Sequence, residues 1–232
     1  MTREVKEYDE RRTEILNTAR GLFFTKGYDQ TSVNDLITAI GIAKGTFYHY
    51  FDSKEDLMMA LAEQITAEGV AIIADLADDP ELSPGEKLQE VFSRTGNWKV
   101  ENMEMMLELL HVMYDPKNIR LKETIATLSI EKATPHIAKI LKQGVDEGVF
   151  EIEYPEEIAG IIFHMGYWLS DQFGRGFLRM EEADESRKSE ILEKLYHQIR
   201  VYEYAITRLV GMETEEFTLF DVDILKAFSE EM

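Results

Sequence analysis

Cysteine is absent from the chain. That excludes disulfides, thiolate zinc sites and cysteine nucleophiles at once, and it fits a reducing cytoplasm. An apolar signal core is missing too: the opening stretch MTREVKEYDERRTEIL is charged throughout. No later apolar run approaches the roughly 20 residues needed to cross a bilayer. The expectation is a cytoplasmic protein with no membrane partner. His49, His111, His136, His164 and His197 are the only histidines, and none stands three or four residues from another, so no metal-ligand spacing is legible. Neither a phosphate-cradling glycine loop nor a nucleophile elbow occurs. No catalytic residue, metal or cofactor is therefore assigned, and the chain does not read as an enzyme.

Positive charge is scarce: 25 Lys and Arg stand against 45 Asp and Glu, a formal net charge of -20. Taken as a sum this argues against nucleic acid, because phosphate binding is driven by Lys and Arg. The distribution reads differently. Residues 1–60 carry a net charge of only -2 and the remainder carries -18, so the N-terminal segment alone is permitted near a polyanion. Elsewhere the acid reads as a solvated surface.

Runs of alternating β-branched residues, internal repeats and low-complexity tracts are all lacking, which leaves helical periodicity as the main signal. Ile15, Leu16, Ala19, Leu22 and Phe23 share one face of a first helix that stops at Lys26-Gly27,. Thr31 or Ser32 caps a second helix bearing Val33, Leu36, Ile37 and Ile40, with Asp35 completing a capping box,. Gly41 ends it. Ala43 to about Tyr50 form a third, short helix, and Ser53 with Asp56 caps a long fourth one. Past the break DDPELSPGE, periodicity resumes from Glu86 to Tyr114 and again from Lys117 to Gly148, where Pro135 is expected to kink the helix or open a new one capped by Thr134,. Two long helices follow, about Pro155 to Arg179 and Ile191 to Val210, and LFDVDILKAFSEEM suits a short terminal helix. The fold class is all-α.

A short helix joined through a glycine turn to the one before it is the layout of a DNA-reading helix-turn-helix. On a helical wheel Ala43, Phe47, Tyr50 and Phe51 gather on one side, where they meet the first two helices,. Gly45 and His49 lie opposite, flanked by Thr46 and Tyr48. Gly45 lets the backbone approach a groove floor, and Thr46 offers a hydroxyl or methyl to a base edge. Tyr48 and His49 suit phosphate oxygens, and Lys44 suits phosphate or base. Lys54, in the first turn of the fourth helix, opposes the helix dipole unless an anion arrives. Thr31 adds a hydroxyl and nearby backbone N–H groups at the start of the second helix.

The string TSVNDLITAIGIAKGTFYHYFDSKEDLM, preceded by ILNTARGLFFTKGYD, resembles the DNA-binding domain of the tetracycline-repressor (TetR) family of bacterial transcriptional regulators. The resemblance is dense over about 50 residues. It rests on a Thr before helix two, Gly in the turn, Lys-Gly-Thr-aromatic-Tyr in the recognition helix and Phe-x-x-Lys at helix four. Carried over, it implies that Thr31, Lys44, Gly45, Thr46, Tyr48, His49 and Lys54 face double-stranded operator DNA. It also implies an N-terminal three-helix DNA-binding domain over residues 1-52, joined by a long helix to a ligand-binding and dimerisation bundle over residues 53-232. ILKQGVDEGVFEIEYPEEIAGIIF is more weakly similar to the stretch before the family's dimerisation helices.

A single small reading head touches few bases, so a homodimer on a palindromic operator is expected. Its interface is expected on the helices near 155-179 and 191-210, where Ala159, Gly160, Gly166 and Ser170 permit close contact and where the family builds a four-helix bundle. A small-molecule effector would sit among Trp98, Met106, His111, Tyr114, Phe163, His164, Tyr167, Trp168 and Asp171, a mixture of rings, thioethers and a few polar groups,. Glu104, Glu108 and Asp171 would favour a cationic effector. The reading is a ligand-responsive transcriptional regulator, most often a repressor in this family. The alternative is a helical ligand-binding or protein-interaction module that has lost DNA binding.

Overall fold

A computed structural model describes residues 3–212, so the terminal helix expected over LFDVDILKAFSEEM lies outside the described residues. Within them the chain forms nine α-helices and one 3₁₀ turn: α1 (Arg3–Lys26), α2 (Val33–Ile40), α3 (Lys44–Tyr50), α4 (Lys54–Asp78), α5 (Pro84–Glu101), α6 (Met103–Tyr114), the turn Pro116–Asn118, α7 (Ile119–Asp146), α8 (Pro155–Met180) and α9 (Glu185–Val210). They group into two compact units. One takes the chain to Thr66 together with Glu104–Ile125; the other takes Ala67–Met103 and the described residues from Ala126 onward.

In the first unit, α2 begins where its sequence signal lies. The Ser32 hydroxyl oxygen accepts from the Asp35 N–H at 3.2 Å and the Asp35 carboxylate accepts from the Ser32 N–H at 2.8 Å, which satisfies two otherwise orphaned donors. The same carboxylate meets the Lys26 ammonium at 2.8 Å. Gly41 closes α2 with φ 74°, a left-handed conformation that glycine adopts without a Cβ penalty. At α4 the box is shared differently. Ser53 accepts from the Asp56 N–H, but Asp56 reaches back to the N–H of Asp52 at 3.0 Å rather than to that of Ser53. The core of this unit joins Ile15, Leu16, Ala19 and Phe23 of α1 to Leu36, Phe47, Phe51, Leu57 and Leu61.

One expectation is corrected by α4. By length and hydropathy (mean 1.5 over 18 residues) it is sufficient to cross a membrane; Glu63 and Glu68 interrupt the run and hide this from inspection. Its apolar side chains are instead committed to packing, with Leu57, Met58, Leu61 and Ile65 buried in the first unit and Ile73, Leu76 and Ala77 in the second. That is the behaviour of a core helix.

The second unit packs Ile73 and Leu76 of α4, Leu88 and Val91 of α5, and Ala133, Ile137, Ile140 and Leu141 of α7 with Ala159, Ile162 and Leu169 of α8 and Tyr202, Ile206 and Val210 of α9. Lys87 is buried there and satisfied: its ammonium donates to the Ala77 carbonyl at 3.2 Å and to Gln143 Oε1 at 2.8 Å, placing a cation at the C-terminal, negative end of α4. Gly166 admits α9 closely. The Tyr202 hydroxyl donates to the Ile162 carbonyl at 2.7 Å, and a Cβ on Gly166 would stand 2.7 Å from that hydroxyl.

Three boundaries differ from the sequence reading. The segment 86–114 is two helices, because Asn102 turns out of helical geometry (φ -113°) and its side-chain amide donates to the Trp98 carbonyl at 2.8 Å. Pro135 lies within a continuous α7, so it does not open a new helix capped by Thr134. The lost backbone hydrogen bond is outweighed by full burial of Ala133 and Ile137 on either side. And α9 starts at Glu185, not near Ile191, because the Asp184 side chain accepts from the Arg187 N–H at 2.9 Å and caps it.

Two outcomes are expected. Gly144→Ala should destabilise by about 1–3 kcal/mol in denaturant unfolding, because its Cβ would intrude on the Phe150 ring. Asp35→Asn should lower stability at neutral pH and converge with wild type in acid. Hydrogen bonds from Lys26 first, then from Ser32, hold the Asp35 carboxyl well below the usual range. A depressed folded pKa gives stability that is present above the unfolded value and lost as pH falls towards the folded one, so acid titration of both proteins checks it.

Candidate nucleic-acid interface

Helix α3 has seven residues, too few to persist alone,, and is held by what it buries. Phe47 is wholly enclosed and Phe51 nearly so, while Lys44, Gly45, Tyr48 and His49 are exposed and Thr46 is half-buried. A Cβ added at Gly45 would meet nothing within 4 Å, and Gly45 is not among the positive-φ glycines. Among the described residues nothing requires glycine there, although glycine within a helix costs roughly 0.5–1 kcal/mol against alanine. Beside it the Lys44 ammonium lies 5.9 Å from the Tyr48 ring centroid.

Two residues that sequence reasoning did not single out support this face. Tyr8, from the first part of α1, stacks on Tyr50 at 4.6 Å and meets the edge of His49 at 5.9 Å. Tyr50, expected on the buried side, is half-buried, with its ring stacked on Tyr8. The only sequence signal for Tyr8 was an aromatic among charges. Tyr28 is a hub of the turn between α1 and α2. Its carbonyl accepts from the Thr31 N–H at 3.1 Å and from the Lys54 ammonium at 3.0 Å, and its ring packs on Phe23. Burial, then Glu55 and Asp29, push its hydroxyl pKa above the usual range.

These contacts correct two assignments. Thr31 is 1% exposed and its hydroxyl donates to the Gly27 carbonyl at 2.7 Å, so the side chain braces the turn and is not free for a phosphate. Lys54 is half-buried, with its ammonium 4.0 Å from the Tyr28 ring centroid as well as on the Tyr28 carbonyl. Its charge at the wrong end of the α4 dipole is thus offset within the protein, and its first task is to fasten α4 to the turn. The places at the starts of α2 and α4 that suggested both positions do not report which polar groups the turn itself consumes.

The effector candidates fall into separate units. Met106, His111 and Tyr114 belong to the first, and Trp98, Phe163, His164, Tyr167, Trp168 and Asp171 to the second. His111, exposed on α6, lines a cavity of about 210 Å³ with Gly27, Tyr28, Asp29, Gln30, Glu108 and Asn118, all in the first unit. In the second unit Phe163 packs against the core, but Trp168 is 53% exposed and His164 is exposed with Nδ1 2.7 Å from the Gly160 carbonyl. Both lie on the outer side of α8 and not in an interior pocket. Asp171 accepts from Arg175 Nε at 2.7 Å, so its charge is already met. Ile161 and Trp168 share one exposed stripe of α8, and Val201 and Tyr204 share one of α9,. Gly166, expected at a dimer contact, is taken up by Tyr202 within the chain.

Comparison with known proteins bears on the same residues. Residues 15–61 match the model of the bacterial regulatory proteins, tetR family. The transcriptional repressor KstR2 of Mycobacterium tuberculosis is 26% identical over 179 residues, covering 75% of this chain and 86% of the relative. Among solved structures, a TetR-family regulator from Mesorhizobium loti superposes with a TM-score of 0.60 at 18% identity, over 88% of this chain and 98% of that one. FadR of Thermus thermophilus, a TetR-family repressor solved in complex with lauroyl-CoA, does so with a TM-score of 0.53 at 22% identity, over 82% and 92%. These likenesses share the all-α fold, and the matched segment contains the capped α2, the glycine turn and the exposed face of α3. Over residues 15–61 the chain carries the segment shared by the bacterial regulatory proteins of the tetR family.

Proposed function

We propose that the protein is a cytoplasmic, homodimeric repressor that binds a palindromic operator and is released by a small-molecule effector. The observation that carries this reading is the outward face of α3, where Lys44, Gly45, Tyr48 and His49 are exposed together and a Cβ on the helix-weakening Gly45 would meet nothing within 4 Å. Close approach of α3 to a groove floor accounts for it. Thr46 would then meet a base edge, Lys44, Tyr48 and His49 the flanking phosphates, and the α1–α2 turn with Thr31 and Lys54 would set the angle of approach. Residues 1–52 hold the reading head, and the near balance of charge there against the acidic remainder supports its being the part that approaches DNA.

The exposed apolar stripes on α8 and α9 support pairing of two copies. Trp168 and Tyr204 are each more than half exposed, and large rings on outward stripes of two adjacent helices suit an isologous helical interface. The complex of FadR with lauroyl-CoA supports a small-molecule effector for a protein of this fold. Release follows if the effector binds more tightly to a conformation that does not fit the operator, because only differential affinity shifts the balance.

Selection of bound duplexes from a random pool, followed by salt titration, tests the reading. The expected result is a two-fold symmetric site whose affinity falls steeply with salt; absence of duplex binding at low salt would return the chain to the non-DNA-binding alternative. On that site Gly45→Ala should weaken binding about tenfold or more while the free protein unfolds at equal or higher denaturant. Trp168→Glu combined with Tyr204→Glu should convert the dimer to monomer in sedimentation equilibrium, leaving helical content unchanged.

A further inference from the structure

Two lysines lie on the inward side of α5, and they are treated differently by the fold. Lys87 is buried and satisfied by the Ala77 carbonyl and Gln143. Lys99, roughly three turns further on, falls at about 100° per residue in line with the buried Leu88 and Val91 and with Thr95,. It is partly buried, and among the described residues no hydrogen bond or ion pair reaches its ammonium. An acidic chain has left this cation without a carboxylate. Burial lowers its pKa, the response of an ammonium that loses water and gains nothing in return.

Two more polar atoms of the same unit, Thr134 Oγ1 on α7 and Gln198 Oε1 on α9, are buried without a hydrogen-bond partner among the described residues. Native interiors hold few such atoms, and each needs an account. Around the core of this unit Phe92, Phe163, Met165 and Phe173 are only partly buried, and a thioether and rings at a core margin repack readily against an apolar guest. The fold supplies apolar surface and one uncompensated positive charge.

We propose that the second unit takes a small amphipathic anion, with Lys99 as the counter-charge of its carboxylate or phosphate head and the partly buried rings receiving its apolar body. This rests on the reading of that unit as the effector-binding one and reverses the sign of ligand that Glu104, Glu108 and Asp171 suggested. Thermal unfolding of the full chain with decanoate, decyl phosphate or 1-decanol, each below its aggregation concentration, tests it, and calorimetric titration gives the affinities.

In wild type, one or both anions should raise Tm while decanol at the same concentration does so far less; which anion is stronger separates a carboxylate head from a phosphate head. Lys99→Met should raise the Tm of the ligand-free protein by a few degrees, since an unpaired charge is replaced by an apolar chain, yet bind the anions at least tenfold more weakly. Lys99→Arg should retain anion binding. If neither anion exceeds decanol, if Lys99→Met binds the anions as wild type does, or if it loses ligand-free stability, Lys99 is not the counter-charge. Operator binding by wild type, measured separately, decides the regulatory reading, so failure of one is distinguishable from failure of the other.

Discussion

Burial of Phe47 and Phe51 is the interaction on which the reading head depends. α3 has seven residues and a glycine; isolated helices of that length are not stable in water. Its geometry is therefore a product of packing, and the two rings, at 0% and 2% exposure, fix its rotation as well as its existence. Once Phe47 points inward, Gly45, Tyr48 and His49 must point outward. One set of apolar contacts decides which groups a ligand would meet, while His49 and Tyr48 keep ring contacts to Tyr8 and Phe47 at their edges.

That division explains why polar residues at neighbouring positions serve different ends. Lys44 and Lys54 bracket the same helix, yet Lys44 is exposed while Lys54 is bound to the carbonyl and ring of Tyr28. Thr46 is partly open, whereas Thr31 is closed by Gly27. Residues that set the pose of α3 are consumed by the turn between α1 and α2, and those that would read a surface are not. A change in the pose of that turn would move the whole exposed face without altering one of its side chains.

Much of this was legible because its causes are local. Ser32 and Asp35 make a capping box three residues apart, Gly41 is demanded by a left-handed turn, and the inward phenylalanines fall on the wheel from spacing alone. What escaped depends on residues far apart in the chain. Lys54 meets Tyr28 across 26 positions, and Tyr8 meets Tyr50 from the far end of α1. Pro135 violates a local rule and is overruled by the burial of Ala133 and Ile137. Trp168 looked like a pocket residue because its chemistry suits one, but its direction is set by α8 packing on α9 through Gly166 and Tyr202.

Glycine and charge are used in this chain by a common logic. Gly144 and Gly166 are required by neighbours that leave no room for a Cβ, and Lys87 is required by a helix end that needs a cation. Among the described residues Gly45 and Lys99 have no such neighbour: one leaves open space and the other lacks a counter-charge. A fold selected only for stability would replace both, since alanine strengthens the helix and an apolar side chain removes an uncompensated cation. Their presence is most simply understood if each is completed by something outside the chain, a nucleic-acid surface at the first unit and an anion at the second.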